Sequence, residues 1–344
     1  MRIVVVAPGH RHSTMDVYTG LCAGLAAAGA DVVRYPLHDT LMAMELVVGA
    51  ARQAGIAPPH GYPDPRMLAT NGIPGYAMAK RADWVLVVHG LNVPPSIPHT
   101  LRRGGYRTAV LLTESPYQMD EERVVAAAYD VALTTDAAAV PELRHPCAHA
   151  LAHAYNPAVH TPDGPRAPAC DVFFCGTRYP ERAALLTGVD WTGIDVRDRS
   201  IDVHDPAGLD KVLDNTQVAS HYRSARISLN QHRQTVHPAR DGVIAPGTAT
   251  ALNPRAYEIP ACGGFMVSDA RAELPAVFGD SVPVYTDSAS LEGMLRFYLA
   301  HDDERRVLAA RQFAAVRAHS WTARAADLLA ILAAHAAAPA SRAA

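Results

Sequence analysis

A chain of 344 residues with 31 Lys and Arg against 34 Asp and Glu carries a formal net charge of −3. That length suits two domains with ample cores, and the near-neutral balance excludes a global pull toward nucleic acid or anionic membrane while allowing a local basic groove. Five cysteines, Cys22, Cys147, Cys170, Cys175 and Cys262, lack paired CxxC spacing, so neither a zinc site nor a disulfide framework is indicated. No apolar run reaches membrane length and the N-terminus lacks a signal-peptide shape, so a soluble, cytoplasmic protein is expected.

Strands and helices alternate along the chain, which predicts an α/β fold. Residues 2 to 7 read as a short buried strand, Met15 to Ala28 as a helix ending at Gly29, and Val32 to Tyr35 as the second strand of a βαβ unit. The loop between them, Pro8 to Asp16, lies at the carboxyl end of the first strand, where open α/β sheets bind ligands. It is not a GxGxxG fingerprint, which argues against a standard dinucleotide site. Ser13 suits a helix cap, with Asp16 in the first turn, while His10 and His12 are candidates for orienting an acceptor or moving a proton.

Trp84 to His89 and Thr108 to Thr113 are further buried, parallel-type strands, and Val131 to Thr134 is another. His89 and Glu114 each follow such a strand and should emerge at its carboxyl end. Either could act on a substrate, and either could simply satisfy loop carbonyls or face solvent. Asp136 ends a comparable strand, but capping is sufficient explanation for it. The Pro- and Gly-rich run from Asn156 to Pro168 reads as a linker.

Strands near 171 to 175, 226 to 230 and 265 to 268 follow, with helices between them. Gly176-Thr177-Arg178 is a small-residue loop after the first of these, where glycine lets backbone approach a phosphate and Arg178 or Arg182 could neutralise it. Asn230, His232 and Arg233 cluster after the second strand. Gln234 to Ala251 reads as an exposed loop able to fold over a ligand, and three helices, Leu291 to Ala300, Asp303 to His319 and Ala323 to Ala336, close the chain.

The most informative stretch runs from Asn253 to Asp269. Asn253 is an N-cap, Pro254 suits the first helical position, Gly263 supplies a left-handed C-terminal turn, and Phe265-Met266-Val267 is a core strand. A helix start offers N–H groups to an anion, and Arg255 adds a planar cation there. Glu258 lies one turn on, placed to accept ribose hydroxyls of a nucleotide whose phosphates the helix start holds. Pro260 should kink or shorten this helix.

Arg255-x-x-Glu258-x-x-Ala261-Cys262-Gly263-Gly264 resembles the donor helix of two-domain GT-B glycosyltransferases, especially the branch related to the spore-maturation protein CgeB. Val172 to Arg182 is similar to the opening strand and loop of that family's C-terminal domain, Tyr222 to Arg233 to its Leu-Asn strand, and His319-Ser320-Trp321-Thr322-Ala323-Arg324 to its His-x-aromatic-x-x-Arg. The resemblance is strong over roughly residues 170 to 330 and implies two Rossmann-like domains whose parallel sheets face a central cleft. It implies an acceptor-side domain over 1–158, a donor domain over 168–322, and a final helix over 323–344 packing back on the first domain.

The same resemblance implies a glycosyltransferase that moves a sugar from a nucleotide-diphosphate sugar to a hydroxyl acceptor, with no cofactor and no metal. Donor contacts are then Gly176, Arg178, Asn230, Arg233, Asn253, Arg255, Glu258, Gly263 and Gly264. Acceptor-side groups are His10, Ser13 and Asp16, with His12, His89 and Glu114 as catalytic candidates. Thr250 stands where many retaining relatives carry a further acid, eight positions before the ribose-binding Glu, so sugar choice and stereochemical outcome stay open. A sugar-nucleotide epimerase of the same fold and a non-catalytic nucleotide-sugar binder are the alternatives. The acceptor class is also open, nucleic acid included.

Overall fold

The computed structural model describes residues 1–9, 14–56, 58–201, 212–237, 240–245 and 247–337. Contacts divide the chain into two compact units: Met1–Ala152 together with the chain from Thr322 onward, and His153–Trp321.

In the first unit six strands form one parallel sheet: β1 (Arg2–Val6), β2 (Asp31–Tyr35), β3 (Trp84–Val88), β4 (Arg107–Leu112), β5 (Val131–Thr134) and β6 (Ala148–Ala150). Their order is β2-β1-β3-β4-β5-β6, with every pairing parallel. Continuous apolar runs explain the central strands, because sheets covered by helices on both faces bury both sides of each strand. Ile3 to Val6 of β1 and Val85 to Leu86 of β3 are fully buried. The chain reverses direction across the sheet between β1 and β3, so the carboxyl ends of these strands form a topological switch point.

The second unit repeats this order. Its strands are β7 (Cys170–Thr177), β8 (Val196–Ile201), β9 (Ala225–Asn230), the hairpin pair β10 (Thr235–His237) and β11 (Arg240–Val243), β12 (Met266–Asp269) and β13 (Val284–Tyr285). The parallel sheet runs β13-β12-β9-β7-β8, which places its switch point between β7 and β9. Its core has two parts, one around Phe173, Tyr222, Tyr257 and Met266, the other around Phe174, Ile227, Leu229 and Phe265.

Four features of this architecture bear on the sequence reading. β8, Val-Arg-Asp-Arg-Ser-Ile, is an edge strand whose charged residues hide its strand character. The segment expected as an open loop from Gln234 forms the antiparallel β10–β11 hairpin. Pro260 stays inside its helix, Pro254–Ala261, which ends one residue later. The run expected as a linker is packed into the second unit by Arg223, whose guanidinium donates to the carbonyls of Val159, Thr161 and Pro165.

Candidate functional site

The switch point of the second unit gathers a pair of guanidinium groups. Helix Pro180–Thr187 starts just after β7 and carries Arg182, which is buried. Its Nη1 donates to Thr177 O at 2.9 Å and its Nη2 to Gln231 O at 2.8 Å, bridging the loops after β7 and β9. Arg255, in the first turn of Pro254–Ala261, donates through Nη1 to the same Gln231 carbonyl at 3.2 Å and to Asn230 Oδ1 at 3.3 Å. Both guanidinium carbons lie over the Phe174 ring, at 5.9 Å for Arg182 and 5.4 Å for Arg255.

Gly176 makes this convergence possible. A Cβ there would stand 3.0 Å from Arg255 Nη2 and 3.2 Å from Arg182 Nη1, and the backbone φ of +158° is itself one that side chains rarely adopt. Among the described residues no carboxylate pairs with either arginine. Burial, and then the neighbouring Arg255 charge, push the Arg182 pKa down to about 9. The buried Arg182 Nε and Gln231 Oε1 have no hydrogen-bond partner among the described residues. Two adjacent cations with no carboxylate at ion-pair distance among the described residues, on a glycine floor at a switch point, are suited to an anion; Glu181 and Asp269 act on Arg182 only through longer-range charge.

The helix that carries Arg255 has the expected ends. Asn253 Oδ1 accepts the Ala256 N–H at 3.1 Å, and Gly263 turns left-handed at φ +75°. Gly264 has a packing role, because a Cβ would meet Tyr222 O at 2.9 Å and Ile259 O at 3.1 Å. Glu258, one turn into the helix, is 7% exposed, and its Oε1 lies 4.0 Å from His160 Nε2. His160 comes from the segment read as a linker. It accepts the Asn156 N–H on Nδ1 at 3.2 Å, and burial holds its pKa down to about 3, so it faces Glu258 as a neutral ring.

Other sequence candidates are placed differently from one another. Arg178 is exposed, whereas Arg182, four residues on, points inward. Arg233 stacks over Tyr179 at 5.4 Å and donates through Nε to Thr235 O at 2.6 Å, bracing the hairpin. Asn230 is fully buried and donates to Ser268 Oγ at 3.0 Å. His232 is tied to Asp269, an acid at the end of β12 that sequence reading passed over, with Nδ1 2.6 Å from Asp269 Oδ1.

In the first unit, His89 and Glu114 are brought together at the ends of β3 and β4. His89 has a left-handed backbone, φ +74°, an uncommon geometry for a non-glycine residue that is enriched at functional sites. Its N–H donates to Leu111 O at 2.7 Å, and its Nδ1 lies 2.9 Å from Thr113 Oγ1, one residue before Glu114. Glu114 accepts from Gln118 Nε2 at 3.2 Å. Beneath this loop the buried Glu122 accepts the Glu114 N–H at 2.8 Å and the Ser115 hydroxyl, and burial pushes its pKa up to about 8. Glu122 reads in sequence as one of three consecutive first-turn acids, so nothing local marked it. Asp136 caps the Ala138 N–H at 3.0 Å, and Asp16 sits in the first turn of the helix Thr14–Ala27. His10, His12 and Ser13 lie outside the described residues. Among the described residues no three His, Cys, Asp or Glu side chains are grouped to hold a metal ion, and no helix is long and apolar enough to cross a membrane.

The class that follows from the fold is GT-B, with two Rossmann-like parallel sheets of matching strand order. Residues 171–330, just under half of the chain, match a family model described as glycosyl transferase-like. The structure is similar to sucrose-phosphate synthase from Thermosynechococcus elongatus at a TM-score of 0.66 and 14% identity, covering 98% of this chain and 100% of that one. It is similar to a putative UDP-N-acetylglucosamine 2-epimerase from Listeria monocytogenes at 0.60 and 12%, over 97% and 96% of the two chains. An E. coli trehalose-6-phosphate protein bound with UDP-2-fluoro glucose gives 0.61 and 12%, over 96% and 99%. No curated protein matches the chain.

Proposed function

We propose that the protein is a glycosyltransferase, of the CgeB-like branch, that moves a sugar from a nucleotide-diphosphate sugar to a hydroxyl acceptor without a metal. The observation that carries this reading is the Arg182–Arg255 pair on Gly176, suited to a diphosphate, with Glu258 one helical turn from Arg255. In that arrangement the guanidinium groups stabilise the negative charge that grows on the departing nucleoside diphosphate. Glu258 accepts ribose hydroxyls. His89 and Glu114 supply the acceptor side, one to orient and one to take a proton from the attacking hydroxyl.

Incubation with a panel of nucleotide sugars, read as free nucleoside diphosphate, tests the proposal. Release that rises with added acceptor and survives EDTA supports transfer. Isomerised donor would replace it with an epimerase, and tight binding without turnover with a non-catalytic binder. Within the transferase reading, His89→Ala and Glu114→Gln should each lower turnover at least tenfold with little change in nucleoside diphosphate affinity, as expected for groups acting on the acceptor. Near wild-type turnover in both variants would remove them from the mechanism.

A further inference from the structure

We infer that His232, clamped by Asp269, reads a hydroxyl of the donor sugar and so sets which nucleotide sugar is accepted; this rests on the donor-site reading above. His232 is 1% exposed and follows Gln231, whose carbonyl receives both Arg182 and Arg255. It therefore sits beside the anion site without belonging to the cation pair.

Asp269 decides the state of the ring. One carboxylate oxygen, Oδ1, accepts the His232 backbone N–H at 3.0 Å and faces Nδ1 at 2.6 Å. A carboxylate oxygen only accepts, so the ring proton is on Nδ1. Burial holds the imidazole below its ordinary pKa against the pull of Asp269, while Arg271 and Arg255 lower it further. The ring is neutral, and Nε2, on the edge turned away from Asp269, is a bare lone pair. That atom is buried and has no hydrogen-bond partner among the described residues.

A buried acceptor is satisfied only by a donor. Phosphate oxygens offer none, so a diphosphate on the arginines leaves Nε2 unpaired. A sugar attached to that diphosphate carries hydroxyl donors within a few bonds of it, and one of them meets the lone pair. His232 is then a specificity-determining residue: a sugar lacking that hydroxyl, or presenting an acceptor there, leaves the imidazole unsatisfied.

The experiment titrates UDP, GDP and dTDP, and their glucosyl conjugates, into the wild-type protein and His232→Ala by calorimetry. Base and pentose are common to each pair, and the terminal phosphate charge lost on conjugation is the same for both proteins, so a difference between wild type and variant isolates the sugar. The variant should bind the glucosyl conjugate about tenfold more weakly while its affinity for the bare diphosphate changes less than about twofold. Equal losses for both ligands would overturn the proposal, and no binding of any of them to wild-type protein would overturn the donor site itself. Imidazole ¹⁵N spectra of the wild-type protein, assigned by through-bond correlation from the His232 backbone, give a readout that needs no variant. Nε2 should resonate as unprotonated nitrogen and shift on adding the sugar conjugate but not the bare diphosphate. A protonated Nε2, or one unmoved by the conjugate, would also overturn it.

Discussion

Arg255→Ala and Arg182→Ala should each weaken nucleoside diphosphate binding by about ten- to a hundredfold, the size expected when a charged hydrogen bond of roughly 1.5–3 kcal/mol is lost. The two losses should not add, because the guanidinium groups sit side by side and share the Gln231 carbonyl. Arg→Lys at either position should recover only part of the affinity, since an ammonium keeps the charge and loses the planar fork. Gly176→Ala is the complementary test. It removes no charge, yet its Cβ would press on Arg255 Nη2 and Arg182 Nη1 at 3.0 and 3.2 Å, so affinity should fall with both cations still present. Calorimetric titration of folded variants checks all of these. Wild-type affinity in both alanine variants would end the donor-site assignment.

Glu122 should make the stability of the N-terminal unit fall as pH rises. Its pKa in the folded protein, about 8, lies above its ordinary 4.5 because the carboxyl is buried. A raised pKa means the folded state holds the proton more tightly. The resulting stabilisation is fully present below about pH 4.5 and is lost as pH climbs through about 8. At roughly 1.4 kcal/mol per pKa unit the change is on the order of 4 kcal/mol, large beside a typical folding margin of about 5–15 kcal/mol. Glu122→Gln cannot ionise and should therefore melt several degrees above the wild type at pH 9, with the gap closing toward pH 5. Thermal melts across that range provide the check, and parallel profiles for the two proteins would refute it. The Glu114 N–H and the Ser115 hydroxyl both donate to Glu122 and favour its ionised form, so they offset only part of the burial penalty that raises its pKa.

Much of the fold was legible along the chain because its central strands are local signals. Ile3 to Val6, Trp84 to Val88 and Met266 to Val267 are apolar runs that only a doubly covered sheet can bury. The ends of the helix Pro254–Ala261 were equally local: Asn253 bonds three residues ahead and Gly263 turns its own backbone, so neither needs a distant partner to be recognised. Two of the edge strands gave no such signal. β8 is charged and β6 has three residues, and each is a strand because a neighbour offers it a hydrogen-bonding edge.

The amino-acid order by itself determined two α/β halves, their apolar strands, and a capped helix carrying Arg255 and Glu258 one turn apart. Only the tertiary structure decided which charges converge. Arg178 and Arg182 are indistinguishable as cations after β7, and the choice of Arg182 depends on the Gln231 carbonyl, 49 residues away, receiving its guanidinium. His160 meets Glu258 across 98 residues of sequence, and Asp269 reaches His232 across 37. Burial likewise singled out Glu122 among its acidic neighbours Asp120 and Glu121. Hydrophobic pattern and capping act over one or two turns of chain and can be read in order. Electrostatic pairing and desolvation depend on distance in space, which the parallel sheets set by bringing the ends of β7, β9 and β12 side by side.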